Sequence, residues 1–258
     1  MSGGGAASFG QEFLINPHTY VMYRCGGKVG SSGVIKILHR MSALIAFLTW
    51  GPTIFLPTAY LAGGIFYFLS RVRRWPARET FLALAWAVMG GRLLYAALAS
   101  AGQYYLWAGN DFTRLLLTLP ADTKAPTLLS RIPYLTENSL GYFFAYSWGR
   151  FWLNPLLVAA VALAFYWFLK VLQRYQARFF EEGETELGLV TALLAGWPGF
   201  MIFLPLVFAS VIFASLVRLL VLKEAYTTLG IPLLLAAGAA LLWGDAVISF
   251  FDLWALRV

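Results

Sequence analysis

The stretch from Met41 to Ser70 reads MSALIAFLTWGPTIFLPTAYLAGGIFYFLS, thirty residues without a charged side chain. A helix needs about 20 apolar residues to cross the hydrocarbon core of a bilayer, so this run predicts a transmembrane helix. Pro52 and Pro57 lie inside it, and proline removes a backbone donor from a helix interior. We therefore expect one tilted, kinked span, with a re-entrant pair of half-helices as the alternative.

The composition of the 258-residue chain agrees with a membrane location. Hydrophobic residues make up 60% and charged residues only 12%, whereas soluble domains carry about 25% charged residues. The net charge of +7 is then typical of Lys and Arg that face lipid phosphates at helix ends, not of a nucleic-acid-binding protein. The single cysteine, Cys25, excludes an internal disulfide and a multi-cysteine metal site.

Four further apolar stretches predict spans, at about residues 80–107, 151–169, 187–217 and 225–243. The predicted fold is therefore an all-α, polytopic transmembrane helical bundle of about five spans. Pro198 and Pro205 lie in the over-long fourth stretch, which predicts a kinked helix. The mixed charges between Lys170 and Glu186 predict a solvated loop.

A polar stripe precedes the first apolar run. On a helix, Lys36, His39 and Arg40 fall at i, i+3 and i+4 and share one face. Such a cluster at membrane depth is costly unless it faces protein, lipid phosphate or a polar ligand such as a quinone head group. The alternative is that His39 and Arg40 are ordinary interfacial anchors at a helix start.

Two short motifs lie in the N-terminal part of the chain, Asn16-Pro17-His18-Thr19-Tyr20 and Lys36-Ile37-Leu38-His39-Arg40-Met41-Ser42-Ala43. Together they resemble the cytochrome b membrane-anchor subunit of succinate dehydrogenase, part of respiratory complex II. The family carries Ser-Pro-His-x-x-x-Tyr, then Ser-Ile-x-His-Arg-x-(Ser/Thr)-Gly at the start of its first span. Lys36 replaces the family's quinone-contacting Ser, and Ala43 replaces its Gly. The resemblance covers Asn16 to about Trp107 of this chain, and family members have three spans.

The resemblance implies a function in succinate:quinone oxidoreduction. It implies that Lys36, His39, Arg40 and Ser42 bind the head group of ubiquinone near the start of the first span. It also implies a non-catalytic anchor chain that docks the iron–sulfur subunit, with a flavoprotein subunit, a second membrane anchor and lipids as further partners and no nucleic acid. The expected location is the mitochondrial inner membrane, within the respiratory chain and the tricarboxylic acid cycle, or alternatively a bacterial cytoplasmic membrane.

The second predicted span carries an intramembrane arginine, Arg92. Charged residues inside spans are functional candidates because they are costly to insert. The family places its haem-ligating His one turn before a Gly-x-Arg, and Gly90-Gly91-Arg92 matches that motif. Trp86 stands where the axial His would be, and an indole offers no lone pair to iron. We therefore expect that this chain ligates no haem b. For Arg92 we expect either a contact with a haem propionate or a structural pair.

We divide the chain into an N-terminal arm and interfacial segment (1–40), an anchor-like region (41–107) and an additional transmembrane region (108–258) that serves assembly. The alternative function is a structural or transport subunit of an unrelated membrane assembly. A transporter of the common kind shows internal repeats and paired broken helices. The proline-containing first and fourth spans are the feature of this sequence that favours it.

Overall fold

A computed structural model describes the backbone of residues 31–73, 76–109, 111–118, 140–176, 180–222 and 228–252. Within these ranges, side chains are described except at 31–49, 52, 73, 111, 112, 221 and 222. The chain divides into two compact units, Met1–Ser42 and Ala43–Val258. In the first unit, the structure describes helical backbone from Ser31 onward. The second unit contains the other helices given below.

The described backbone forms eight α-helices. They are α1 (Ser31–Arg73), α2 (Ala77–Ala108), α3 (Asp111–Leu116), α4 (Gly141–Ser147), α5 (Leu153–Tyr175), α6 (Glu184–Ala195), α7 (Phe200–Val217) and α8 (Gly230–Phe250). A π-helical segment, Trp148–Trp152, joins α4 to α5, and another, Arg218–Leu222, continues α7.

In the part of the chain that the structure describes, five helical stretches are long and apolar enough to cross a membrane. They are Thr53–Val72, Ala77–Ala108, Gly141–Tyr175, Phe200–Leu220 and Gly230–Phe250. No strand occurs in the described residues. The prediction of an all-α transmembrane bundle with about five spans is confirmed.

The first apolar run is helical throughout, because α1 continues through Pro52 and Pro57. The hydroxyls of Thr53 and Thr58 donate to backbone carbonyls about one turn back, at 2.8 Å to Trp50 and 2.9 Å to Ile54. The alternative of two re-entrant half-helices in this run is wrong.

The fourth apolar run is broken into two helices. Helix α6 ends at a turn formed by Gly196–Gly199, and α7 begins directly after it. Gly196 has φ +62°, a left-handed conformation that glycine adopts without a steric penalty. The prediction of one kinked helix over 187–217 is therefore wrong, and Pro205 lies inside α7.

Helix α6 is the centre of the bundle. Its residues from Glu184 to Leu194 are all buried, as expected for a helix whose apolar surface extends around its whole circumference. It packs against α2, α5 and α8. Gly183, just before α6, lies beside Ala77 at the start of α2. The last carbonyls of α6 contact Arg92, which lies further along α2. Helix α6 therefore runs parallel to α2.

Helix α7 returns toward the face from which α6 starts. Near its beginning, the ring of Phe203 packs on Phe165 of α5, which also lies close to Gly188 of α6. Further along, Ser210 donates a 3.1 Å hydrogen bond to the carbonyl of Pro232, in the first turn of α8. The broken run is therefore a helical hairpin inside the bundle.

Helices α1 and α8 pack in opposite directions. Tyr60 donates a 3.0 Å hydrogen bond to the carbonyl of Leu234, whereas Tyr67, two turns later in α1, lies over Gly230 at the start of α8. Arg71 donates to Thr228 at 3.0 Å. The end of α1 and the beginnings of α6 and α8 thus lie at one face of the bundle, called the charged face below.

The prediction of a solvated loop between Lys170 and Glu186 is wrong at both ends of this stretch, because Lys170 lies in α5 and Glu184 and Glu186 lie in α6, whereas Glu181 and Glu182 between them are exposed. Glu184 and Glu186 are each 1% exposed. Arg71 forms an ion pair with Glu181, and Lys170 forms one with Glu186 at 2.9 Å. These opposite charges come from α1, α5 and the start of α6, so their pairing becomes visible only in the folded chain.

Gly183→Ala should destabilise the protein. Gly183 has φ +85°, and an added Cβ would lie 2.8 Å from the Cβ of Ala77 and 3.1 Å from its carbonyl carbon. The left-handed backbone alone costs a non-glycine residue about 1–2 kcal/mol. We expect a lower apparent Tm in thermal unfolding of the detergent-solubilised protein.

Gly64→Ala is the matched control. Gly64 lies inside α1, and an added Cβ would meet nothing within 4 Å. Alanine in a helix interior is more favourable than glycine by about 0.5–1 kcal/mol, so this variant should melt no lower than the parent protein. Equal melting of the two variants would contradict the packing of Gly183 against α2.

Candidate functional site

The residues with the predicted quinone-binding role lie on α1. The backbone of Lys36, His39, Arg40 and Ser42 is helical, as the polar stripe requires. Their side chains lie outside the described part of the structure, as do Asn16–Tyr20 of the first motif. Their role as a quinone site stays a prediction.

Arg92 binds the end of α6. Its Nη2 atom donates to the carbonyl of Leu193 at 2.9 Å and to that of Leu194 at 3.4 Å. These carbonyls are among the last of α6, where a helix has no backbone donors left to pair with them. A Cβ on Gly196 would lie 2.8 Å from this Nη2, so glycine at that position allows the guanidinium to approach. Arg92 therefore has a structural contact within the bundle, whereas its role toward a haem propionate stays a prediction.

A cavity of about 500 Å³ lies beside Arg92, between α1, α2 and the beginning of α5. Its lining combines apolar side chains, glycines and a few polar groups: Gly51, Phe55, Leu56, Gly91, Arg92, Leu94, Tyr95, Arg150, Phe151, Asn154 and Pro155. Within the described residues, the Nε atom of Arg92 and the Oδ1 atom of Asn154 are buried and have no hydrogen-bond partner. A cavity of this size with a few convergent polar groups is typical of a small-molecule site.

Trp86 lies on the outside of α2, where its side chain is 75% exposed. The resemblance places the family's axial haem ligand at this position. The described residues contain no cluster of three or more His, Cys, Asp or Glu side chains that could hold a metal ion. The expectation that this chain ligates no haem b stays a prediction.

Glu186 is the centre of a charge cluster that the sequence reasoning missed. Its carboxylate accepts from Lys170 at 2.9 Å and from Thr185 at 2.7 Å, and Arg78 lies 3.5 Å away. Burial would raise the pKa of Glu186, but the hydrogen bonds from Lys170 and Thr185 outweigh it and lower the pKa below 4.5. The carboxylate is therefore held in its charged form.

Glu184 joins the start of α6 to the start of α8. Its carboxylate accepts from the backbone N–H of Gly230 at 2.8 Å, of Leu229 at 3.2 Å and of Glu181 at 3.1 Å. Burial raises the pKa of Glu184 above 4.5, although these backbone hydrogen bonds oppose the rise. The carboxylate supplies an acceptor to N–H groups at the α8 N-terminus that have no partner within that helix.

One sequence signal could have revealed this arrangement. Gly196-Trp197-Pro198-Gly199 places two glycines around a proline, a combination that marks a turn more strongly than a kink. A turn there leaves the twelve residues of α6 too short to cross a bilayer. A short apolar helix with Glu184 and Glu186 at its start must be buried in protein, so its acids must find basic partners.

Comparisons with protein-family models, with curated proteins and with solved structures give no match for this chain. The functional argument therefore rests on the residues themselves.

Glu186→Gln should weaken the protein and reduce its sensitivity to acid. The pKa of Glu186 is lower in the folded protein than its usual 4.5, so the charged carboxylate contributes stability above pH 4.5 and loses it as the pH falls through the folded value. At pH 7 the variant should lose about 1.5–3 kcal/mol, typical of hydrogen bonds to charged groups. Below pH 4.5, the apparent Tm of the parent protein should fall more steeply than that of the variant.

The measurement is thermal unfolding in detergent between pH 3.5 and 7. Glu184 acts in the opposite sense, because its raised pKa contributes stability that is present below pH 4.5 and lost as the pH rises through its folded value. It is unchanged in this variant, so the difference between the two curves isolates Glu186. Glu182 is exposed, and Glu182→Gln serves as the control. Parallel curves for the parent protein and Glu186→Gln would show that the pair with Lys170 contributes nothing.

Proposed function

We propose that this chain is a membrane-anchor subunit of a succinate:quinone oxidoreductase that binds the ubiquinone head group near the start of α1. The observation that carries the proposal is the segment Ile37-Leu38-His39-Arg40-Met41-Ser42. It lies in α1, the helix that contains the apolar stretch Thr53–Val72. The proposed partners are an iron–sulfur subunit, a flavoprotein subunit and a second membrane anchor, and the proposed location is the mitochondrial inner membrane.

Arg40 has the central role in this proposal. A quinone carbonyl gains negative charge as it is reduced, and a guanidinium beside it stabilises the reduced form more than the oxidised form. His39 and Ser42 supply supporting hydrogen bonds, and Lys36 supplies a second cation. The two electrons come from the iron–sulfur subunit, and two protons complete the quinol. This chain holds and orients the head group, while the oxidation of succinate takes place on the flavoprotein.

A transport function has one observation in its favour, the break between α6 and α7. Transporters bind substrates and ions at the ends of such half-helices. In this chain, however, both ends of α6 are occupied by protein groups. Lys170 and Arg78 pair with Glu186 at the start, and Arg92 binds the last carbonyls. The anchor function is therefore the better supported of the two.

Arg40→Ala should slow quinone reduction while leaving succinate oxidation intact. Hydrogen bonds to charged groups contribute about 1.5–3 kcal/mol, so the loss should be roughly tenfold to a hundredfold in rate. Arg40→Lys should restore only part, because an ammonium does not reproduce the planar fork of the guanidinium. The measurement is steady-state succinate:quinone activity of the purified complex.

Two controls accompany this test. Reduction of a soluble dye at the flavoprotein should stay normal in both Arg40 variants. Arg174 is exposed near the end of α5, and Arg174→Ala should leave quinone reduction unchanged. If an intact complex with Arg40→Ala reduces quinone at the parent rate, Arg40 is only an interfacial anchor.

A further inference from the structure

We propose that the cavity between α1, α2 and α5 binds the anionic head group of a membrane phospholipid. None of the described lining residues belongs to the proposed quinone-binding segment Lys36–Ser42, and the proposal does not depend on the proposed function. Three of its lining residues carry the argument, Arg92, Arg150 and Asn154. Most of the remaining described lining is apolar, which suits the glycerol backbone and the first part of an acyl chain.

Two buried polar atoms on residues that line the cavity have no hydrogen-bond partner among the described residues. They are the Nε of Arg92, an N–H donor, and the Oδ1 of Asn154, an acceptor. Buried polar groups are almost always hydrogen-bonded, so an orphaned pair beside a cavity indicates a ligand that satisfies it. On binding, a rotation of the two side chains would let a phosphate oxygen accept from Arg92 and a hydroxyl or ammonium on the same head group donate to Asn154. The ligand class is therefore an anionic head that also carries a donor, as in phosphatidylglycerol or phosphatidylserine.

The charge of the cavity selects an anion. Two guanidinium groups, those of Arg92 and Arg150, line it, and none of its described lining residues is an acid. Only part of the Arg92 charge is compensated, by the carbonyls of Leu193 and Leu194. The planar fork of arginine fits phosphate oxygens in two parallel hydrogen bonds.

The position of Arg150 along its helix matches the phosphate level of a leaflet. Arg150 precedes Lys170 by 20 residues in the helical stretch Gly141–Tyr175, a distance of about 30 Å. Lys170 lies at the charged face, and the hydrocarbon core of a bilayer is also about 30 Å thick. Arg150 therefore lies near the opposite edge of the hydrocarbon, where the phosphates of that leaflet are found.

Leu94 and Arg150 are the exposed residues among the described lining of the cavity. Leu94 is 58% exposed. A phospholipid can therefore place its head between Arg150 and Arg92 while its acyl chains extend past Leu94 into the bilayer. A free anion would have no use for the exposed apolar side chain of Leu94, which is the reason to assign the site to a lipid.

The test is lipid binding by the full chain, purified in mild detergent together with whatever subunits accompany it. After delipidation, phosphatidylglycerol, phosphatidylcholine, glycerol phosphate or ubiquinone is added, and native mass spectrometry measures the bound fraction. Phosphatidylglycerol should bind at least tenfold more tightly than phosphatidylcholine. Arg150→Gln should weaken phosphatidylglycerol binding by about tenfold to a hundredfold, the range typical of a charge-assisted hydrogen bond.

Three variants make the result decisive. Asn154→Leu keeps the approximate size of the side chain and removes its polar atoms, so it should weaken phosphatidylglycerol binding without unfolding the protein. Arg174→Gln, at the other end of α5 and away from the cavity, should bind like the parent chain. Arg92→Gln should abolish phosphatidylglycerol binding if the variant folds. If it does not fold, Arg150→Gln still tests the proposal, because Arg150 is exposed.

Other outcomes would overturn the proposal. Equal binding of glycerol phosphate and phosphatidylglycerol would show a site for free anions. Preferred binding of ubiquinone, lost in Arg150→Gln, would give the cavity to a quinone. Unchanged phosphatidylglycerol binding in both Arg150→Gln and Asn154→Leu would place the lipid elsewhere on the protein.

Discussion

The burial of α6 requires a partner for the polar groups at each of its ends. At its start, Glu184 and Glu186 would be far too costly to bury alone, and the side chains of Lys170 and Arg78 and the backbone N–H groups of α8 offset that cost. At its end, Arg92 binds carbonyls that the helix cannot satisfy itself. These contacts fix α2, α5 and α8 around α6, so the packing of the bundle depends on them.

Arg92 links this packing to the cavity. An arginine inside a span costs at least about 2.5 kcal/mol to insert, and the negative end of the α6 dipole together with its carbonyls offsets part of that cost. The contact uses Nη2, while Nε is buried and has no hydrogen-bond partner in the described part of the chain. One side chain thus closes the end of a half-helix and also contributes to the lining of the cavity.

The class of fold could be predicted from the sequence, because the hydrophobicity of about 20 consecutive residues is a local property. The break after Ala195 is easily missed although Gly196-Trp197-Pro198-Gly199 signals a turn, because the apolar run continues across it without a charge. The acids Glu184 and Glu186 looked solvated because Arg78 is remote in sequence and Lys170 lies 16 residues before Glu186, so that only the fold brings them together. Arg92 was recognisable as a candidate from its place in an apolar run, whereas its partners on α6, about 100 residues later, were not.

The contact of Glu184 with Gly230 also determines how the chain is threaded through the bilayer. Because the starts of α6 and α8 meet at this contact, the segment between them begins and ends at the same face of the bundle. It therefore contributes no net crossing of the bilayer. Five helices in the described residues are apolar enough to span a membrane. Because α6 and α7 together begin and end at the same face, the number of net crossings is nevertheless even, as in a protein with four spans. Thr53 at the start of the first apolar stretch and Phe250 at the end of α8 then belong to the same leaflet, and tags near these two positions would report the same compartment.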